Sequence, residues 1–506
     1  MYSFHLKAPY RDHSDTSPPV GENLHTVYDE SSSGVARLTL ASAPRTSLMA
    51  ARARQHRRVF VAISAVTLCA VLISIITIAT GGNHSAPKQV RGGVLSETKI
   101  EEWTMASKEI IGPIQDNAGL GYGHALAMSA NGRRLAVGLQ GFGYKNGLVD
   151  VYSWQGHTKT WLLEHTFIDR HIGTYHSPHE ALSISADGGR IALSEEDKVA
   201  VYGRYTDETD YSWQPLGIPI DPFRTSEISQ TARFGSKVVL SDDGNKVIAI
   251  GDSESTGLVE VYQYKEIDNA ASGRIITWEL VDSIRIDHGG GDISVSHDAS
   301  IIAVGTSSST YPNHEEQSGV VQVFALSPYS GRYERLGQAI AGEALGEGFG
   351  GSVSLSSDGK HLAAGTEEGS DNIVRLYMYD AVNETWMKCG DDLRSSQEGR
   401  MESFGASLEL NTDGSMLAVG APGTLDRFGD SIPGSVHIFQ VQDVELHSWT
   451  QVGYLESPHT GDLFGTAVAM SMDGTRIVAS APRRSYGGNE AVGIIEVYDR
   501  PLDYKA

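Results

Sequence analysis

The residues best placed for chemistry are a carboxylate and a hydroxyl that recur together in one short motif. The motif reads Ser-x-Asp-Gly, and its clearest copy is residues 241–244. Such a pair could contribute to a metal site or could hold a turn. Calcium takes about 6–8 oxygen ligands, more than one Asp and one Ser supply. We therefore predict that the Asp forms hydrogen bonds within the turn and that the motif binds no metal.

Two other groups contain residue types that bind metals. A loose calcium-loop spacing is formed by Asp252, Glu254, Thr256, Gly257 and Glu260. This segment runs into a predicted strand, where successive side chains point to opposite faces and cannot all bind one calcium ion. Four histidines precede the second copy of the repeat, namely His165, His171, His176 and His179. No Cys or acidic partner stands at ligand spacing beside them, so we predict no metal site and no cofactor.

Signatures of catalysis and of nucleic-acid binding are both missing from the sequence. Gly251-Asp252-Ser253 lacks the last Gly of a nucleophile elbow, and no P-loop, dinucleotide fingerprint or HExxH motif occurs. The net charge is −23; residues 1–58 hold eight Lys/Arg and five Asp/Glu, a balance of +3, which leaves −26 for the remainder. So acidic a body argues against a nucleic-acid partner. We predict a protein that is not an enzyme.

The Ser-x-Asp-Gly turn belongs to a repeat that predicts the fold. Its copies begin at Ser129, Ser185, Ser241, Ser296, Ser356, Asn411 and Ser471, at steps of 56, 56, 55, 60, 55 and 60 residues. Each turn joins two segments of alternating apolar residues, and two further strands follow, as at 258–264 and 277–284 in the third copy. Seven such units predict an all-β, seven-bladed β-propeller of four-stranded blades over residues 101–506.

The ends of the repeat array predict how the ring closes. An aromatic residue opens each fourth strand, and a Gly often follows four positions later, as in Trp386 and Gly390. The last repeat stops after its third strand, at 494–500, whereas Trp103 and Ser107 show the same spacing ahead of the first repeat. We therefore predict that the N-terminal strand completes the last blade, which removes exposed sheet edges. The tryptophans are then packing residues.

The segment before the propeller predicts a membrane anchor. Residues 1–58 resemble a disordered tail, residues 59–80 contain no charge, and residues 81–100 are a polar linker. At about 1.5 Å per residue an apolar helix of this length crosses the bilayer hydrocarbon. Basic residues at 51–58 precede the span and predict a single-pass protein with a cytoplasmic N-terminus and an extracellular or lumenal propeller. Asn83 and Asn383 lie in glycosylation sequons.

Four copies of the repeat begin with Phe-Gly, at Phe234, Phe349, Phe404 and Phe464, and two end in an Ala-Pro pair, at Ala421 and Ala481. This pattern resembles the FG-GAP repeats of the propellers of integrin α subunits. The resemblance covers about residues 101–506 and implies binding of an extracellular ligand or protein through loops on one face. The calcium loops frequent in such blades are replaced here by the short Ser-x-Asp-Gly turns.

Loop length indicates where a ligand would bind. The connections between the second and third strands are long at 306–319, 421–434 and 481–493 and very short at 194–197. Variable loops on a rigid scaffold are common binding sites. The candidate residues on this face are Tyr311, Glu315, Asp426, Phe428, Asp430, Arg483, Arg484 and Tyr486. We predict that this face binds a protein or a glycan. The alternatives are a carbohydrate-active enzyme and an assembly or cargo factor retained in the secretory pathway.

Overall fold

The structure is a computed structural model. It describes residues 100–113, 121–139, 147–169, 182–195, 198–206, 211–221, 233–252, 256–269, 273–287, 291–308, 318–366, 372–395, 400–401, 403–423, 425–426, 430–443 and 448–501. These residues form strands, turns and bends, and none of them belongs to a helix that is long and apolar enough to cross a membrane. The predicted tail, membrane span and linker, with Asn83, lie outside the described residues apart from Ile100.

The N-terminal strand and the first three blades contain β1 (Thr104–Met105), β2 (Ile110–Ile111), β3 (Tyr122–Met128), β4 (Arg134–Leu139), β5 (Gly147–Gln155), β6 (Thr160–Asp169), β7 (Leu182–Ile184), β8 (Arg190–Glu195), β9 (Lys198–Thr206), β10 (Tyr211–Pro215), β11 (Arg233–Leu240), β12 (Lys246–Asp252), β13 (Thr256–Asn269) and β14 (Gly273–Asp287).

The remaining blades contain β15 (Ile293–Val295), β16 (Ile301–Thr306), β17 (Val320–Leu326), β18 (Tyr333–Arg335), β19 (Ile340–Ala341), β20 (Phe349–Leu355), β21 (His361–Thr366), β22 (Ile373–Asp380), β23 (Thr385–Lys388), β24 (Leu393–Arg394), β25 (Arg400–Met401), β26 (Ser407–Leu410), β27 (Met416–Ala421), β28 (Leu425–Asp426), β29 (Pro433–Asp443), β30 (Ser448–Thr460), β31 (Val468–Met470), β32 (Arg476–Ala481) and β33 (Ile494–Asp499).

All strands except β25 and β28, which pair with each other in a separate two-stranded sheet, assemble into seven antiparallel blades, which confirms the predicted propeller. The first three blades are β3-β4-β5-β6, β7-β8-β9-β10 and β11-β12-β13-β14. The next three are β15-β16-β17-β18, β20-β21-β22-β23 and β26-β27-β29-β30, with β19 and β24 continuing the outer edges of blades four and five. Apolar side chains of neighbouring blades share buried clusters, so the core is a series of interfaces between blades.

The N-terminal segment completes blade seven, as predicted. β31, β32 and β33 supply three strands, and β1 and β2 pair with β33, with Thr104 opposite Asp499 and Ile110 opposite Ile495. An ion pair between Arg500 and Glu101, with Nη2–Oε1 at 2.6 Å, ties the end of the last blade to this segment. The two ends of the propeller therefore hold one sheet together.

The Asp of the repeated turns bonds locally, as predicted, and Asn131 takes its place in the first turn. In the third blade Ser241 Oγ donates to Asp243 Oδ1 at 2.7 Å, and the Asn245 N–H donates to the same oxygen at 2.9 Å. The Lys246 N–H donates to Ser241 Oγ, which closes the turn. In the fourth blade Ala299 replaces the Gly and still adopts φ of 50°, a conformation that costs an L residue free energy.

The turns also bond to one another in a ring, which the sequence did not predict. The second residue of each turn donates its N–H to the carbonyl oxygen of its counterpart in the next blade, at 2.8–3.0 Å. The members of this turn ring are Ala130, Ala186, Asp242, His297, Ser357, Thr412 and Met472. The bond from Met472 to Ala130 closes the circle, so uniform turn length follows from a shared hydrogen-bond ring.

The Phe-Gly pairs are wedges between blades. Phe349, at the start of blade five, is fully buried and packs against blade-four residues such as Val321. The Gly of each pair allows the backbones of neighbouring blades to approach closely. After Phe464, for example, Gly465 has φ of 89°, and a Cβ there would lie 2.4 Å from the Ser435 carbonyl oxygen of blade six. Blade one uses Tyr122-Gly123 at the same place, a substitution that the Phe-Gly pattern missed.

The spacing of Trp and Gly in the fourth strands arises at the same interfaces. Trp386 of blade five donates its indole N–H to the Leu336 carbonyl at 3.0 Å, beside Gly337 of blade four. A Cβ on Gly337 would lie 2.9 Å from the Trp386 ring. Gly453 of blade six makes the same space for Trp103. The Gly of one blade thus accommodates the Trp of the next, which supports the packing role predicted for these tryptophans.

Blade three differs from the predicted lengths. Its outer strands β13 and β14 extend well beyond 258–264 and 277–284. Beyond the predicted ends Ile267 pairs with Ile275. Lys265, one residue past the predicted end of its strand, forms an ion pair with Glu279. The cross-strand pairing therefore extends this hairpin further than its apolar alternation indicated.

Candidate functional site in the central channel

The inner strands of the blades surround a channel with a cavity of about 280 Å³. The residue two positions before the first residue of each turn lines this space, and in four blades so does the residue four positions before it: Lys237, Asp292, Ser407 and Ala467. Small or hydroxyl side chains predominate, and among the described residues the charged members are Lys237, Asp292 and Glu409, with Asp242 at the turn ring. Inner strands have backbone N–H groups without a strand partner on the channel side. Polar side chains of the channel wall can accept hydrogen bonds from these groups.

Most polar groups of the channel wall bond across blade boundaries. Ser183 Oγ accepts the Leu240 N–H at 3.0 Å, and Ser294 Oγ accepts the Leu355 N–H at 2.9 Å. Ser354 repeats the pattern with the next blade. Each serine therefore satisfies a backbone donor of the following blade, which is required because an unpaired buried N–H is costly.

Lys237 and Asp292 form the ion pair of the channel. Their Nζ and Oδ1 atoms lie 2.5 Å apart, and both side chains are largely buried. The other oxygen of Asp292 accepts the Val353 N–H at 2.7 Å. Asp292 thus joins blades three, four and five, and its negative charge is balanced by Lys237.

Glu409 is the exception in this wall. It comes from blade six and is half-buried, and among the described residues it makes no hydrogen bond and no ion pair. Burial raises the pKa of its carboxyl to about 8; the charge of Lys237 lowers the pKa and that of Asp292 raises it. The channel therefore contains a carboxyl group that can gain or lose a proton close to neutral pH.

A second titratable carboxyl lies at the turn ring. Burial raises the pKa of Asp242 to about 6, while the neighbouring His297 lowers it. The His297 ring also contacts the Ser357 carbonyl, with Nδ1 at 2.9 Å. Backbone hydrogen bonds of the turn ring thus encircle this end of the channel, and its lining is weakly acidic.

The predicted loop residues are only partly described. Tyr311, Glu315 and Phe428 lie outside the described residues, as do His171, His176 and His179. Asp426 belongs to β28, where its backbone pairs with Arg400. Asp430, Arg483 and Tyr486 are exposed. Asn383 is exposed in the turn between β22 and β23, and its side-chain amide donates to Asp380.

Arg484 is placed differently from its exposed neighbours. Only 3% of its side chain is accessible. Its Nε lies 2.8 Å from Asp462 Oδ2, and its other nitrogens contact Ser457, Glu496 and Glu109. Its guanidinium thus links blade six, blade seven and the N-terminal segment, and it is not presented to a ligand in this structure.

Third strands hold a further row of buried polar residues at equivalent positions. Six of the seven blades have one there: Asp150, Glu260, Gln322, Arg375, His437 and Glu496. Glu260, which lay in the loose calcium spacing, accepts from the Tyr262 hydroxyl at 2.6 Å and from Ser283. Within the described ranges no group of three or more His, Cys, Asp or Glu is arranged to hold a metal ion.

Sequence reasoning missed the channel residues, although a signal was present. When the repeats are aligned on the first residue of each turn, Lys237 and Asp292 fall four positions before it and Glu409 falls two before it. Most blades have a small or hydroxyl residue there. A charged residue at an inner-strand position of a propeller therefore indicates a channel group.

Comparison with known proteins assigns no family. No family model and no curated protein matches the chain. A hydrazine synthase structure from Kuenenia stuttgartiensis is 16% identical with a TM-score of 0.45, covering 78% of this chain and 100% of that one. An oligogalacturonate lyase from Vibrio parahaemolyticus is 12% identical with a TM-score of 0.44, covering 81% and 96%. Sqt1 from Chaetomium thermophilum is 15% identical with a TM-score of 0.43, covering 76% and 90%. Such values assign neither family nor activity.

Proposed function

We propose that this chain is a membrane-anchored recognition protein whose propeller binds a protein or a glycan through the face opposite the turn ring. Residues 59–80 cross the membrane, and the propeller lies on the extracellular or lumenal side. The protein acts by binding and not by catalysis. The resemblance to FG-GAP repeats is consistent with this function.

The difference between the two faces is the observation that supports this proposal most directly. At one end the seven turns are held in a closed hydrogen-bond ring, which leaves little freedom for loop variation. At the other end the connections differ widely: β8 ends at Glu195 and β9 begins at Lys198, whereas β16 ends at Thr306 and β17 begins at Val320. A rigid ring with variable loops on one face is typical of recognition scaffolds.

Exposed side chains in the described part of the variable face give the proposal a local basis. Arg483 and Tyr486 are exposed beside the buried Arg484, whose ion pairs with Asp462 and Glu496 hold the loop in place. An aromatic and a cationic side chain on a fixed loop are the residue types that most often dominate binding interfaces.

Binding is tested with the full-length chain displayed on cells, using a glycan array and proximity labelling. Shortening the connections at 306–319 and 421–434 should abolish binding. Substituting Val382, which is 90% exposed in the turn between β22 and β23, serves as a control and should leave binding unchanged. Binding that survives loop shortening would contradict the proposed face.

Topology is tested separately with epitope tags at the two ends of the chain. Selective permeabilisation of the plasma membrane should expose the N-terminal tag to antibody. The C-terminal tag should be accessible only from outside the cell or after organelle membranes are opened. The reverse pattern would refute the proposed orientation.

A further inference from the structure

The central channel carries an interaction that is incomplete within the described chain. Ser183, Ser294 and Ser354 each accept a backbone N–H. Asp292 forms an ion pair with Lys237 and accepts the Val353 N–H. Glu409 faces the same cavity without a hydrogen bond or an ion pair among the described residues. Glu409 is half-buried, and its ionisation in this partly desolvated channel is costly unless a cation compensates the charge.

The charges around Glu409 define what that partner would be. Lys237 forms an ion pair with Asp292 at 2.5 Å, and its charge also lowers the pKa of Glu409 although the two side chains form no ion pair. At the same height in the channel wall, Ser354 of blade five and Ala469 of blade seven flank Glu409 and carry no charge. Lys237, Asp292 and Glu409 sum to −1 when Glu409 is ionised, and Asp242 at the turn ring adds further negative charge, within a chain of net charge −23. Both the local and the overall charge favour a cation.

The size and the ligand groups of the cavity restrict the kind of cation. Two carboxylates, one of them already paired, are too few for calcium, and no metal-binding group is found among the described residues. A cavity of about 280 Å³ has room for a small organic molecule. Serine hydroxyls that accept backbone N–H groups keep their own O–H free to donate to a ligand oxygen.

We propose that the channel binds a small hydroxylated organic amine, whose ammonium group pairs with Glu409 and whose hydroxyls meet the channel serines. This site is distinct from the loop face and does not depend on the ligand proposed there. Because burial holds the pKa of Glu409 near 8, an ammonium partner would lower that pKa. Binding near neutral pH would therefore release a proton from Glu409.

The experiment is calorimetric titration of the full-length chain in nanodiscs with glucosamine, and with glucose as the matched neutral probe. Glucosamine should bind and glucose should not. The heat measured in buffers of different ionisation enthalpy should reveal release of a proton near pH 7. Glu409→Gln should weaken glucosamine binding at least tenfold and abolish the proton release.

The control is Glu334→Gln, which makes the same substitution at an exposed carboxyl of blade four and should leave the affinity unchanged. Far-UV circular dichroism would first establish that both variants fold as the wild type does. The proposal is overturned if glucosamine binds no better than glucose, or if the Glu409 variant binds it with unchanged affinity and unchanged proton release.

Discussion

Gly453 and Trp103 meet at the junction where the N-terminal segment joins blade six. A Cβ built on Gly453 would lie 2.7 Å from Trp103 Nε1 and 2.8 Å from Ile438 Cδ1. Gly453→Ala should therefore force the indole to shift, an overpacking cost of about 1–3 kcal/mol in the free energy of unfolding. The lower entropy of the unfolded alanine chain offsets about 0.4–1 kcal/mol of this cost.

Truncation of the indole tests whether this contact exists. Trp103 is 8% exposed, so Trp103→Ala should cost about 3–5 kcal/mol. In the double variant the added methyl group has no indole to displace. The two costs should consequently fall short of additivity by about 1 kcal/mol or more, because residues in direct contact are coupled.

Trp386→Ala provides the matched control. Trp386 is 3% exposed and fills the equivalent place in blade five. It is remote from Gly453, so Trp386→Ala and Gly453→Ala should be additive within about 0.5 kcal/mol. Urea unfolding followed by far-UV circular dichroism measures all five variants without relying on tryptophan fluorescence. Full additivity of Gly453→Ala with Trp103→Ala would refute the closure of the ring by the N-terminal strand.

Three further perturbations test other parts of the propeller. The pKa of Glu409 is raised from 4.5 to about 8 in the folded protein. Between these two pH values the folded state keeps a proton that the unfolded chain releases. The free energy of unfolding of the wild type should therefore fall as the pH rises from 4.5 to above 8. Glu409→Gln should match the wild type at pH 4.5 and exceed it at pH 9 by at most roughly 5 kcal/mol; equal urea midpoints at pH 9 would contradict this. Asp243→Ala removes the acceptor for Ser241 and Asn245 and should lower the unfolding free energy by about 1–2 kcal/mol, whereas an unchanged urea midpoint would exclude a stabilising role. Tyr122→Phe removes a buried hydroxyl that donates to Asp150 and should cost about 1–3 kcal/mol in the same assay, with no effect expected for Tyr329→Phe, which is 98% exposed.

The strands, turns and closing strand of the propeller were predictable, because the residue patterns that produce them are short or recur in every blade. Alternating apolar residues on both sides of Asp243 and Gly244 predicted two strands and a turn, and the structure contains them. The spacing of Trp103 ahead of the first repeat predicted the closing strand, because every blade needs the same fourth strand. Such features depend on the period of the sequence more than on distant residues.

Features that depend on a single blade or on partners across the ring were not predictable. Ile267 and Ile275 extend the outer hairpin of blade three beyond the length expected from alternation. Arg484 resembles its exposed neighbour Arg483 in sequence, yet Asp462 and Glu109 enclose it from other elements. Sequence spacing does not show which of two adjacent arginines will find buried carboxylates.

Seven strand–turn–strand repeats, their order and the closing role of the first strand can be read from the sequence, because backbone geometry and side-chain alternation act over a few residues. The channel chemistry depends on the ring itself. Lys237, Asp292 and Glu409 come from three blades and share one cavity only after closure. The pKa of Glu409 then depends on desolvation by the whole channel wall and on charges from two other blades, and interactions of this range have no counterpart in local sequence.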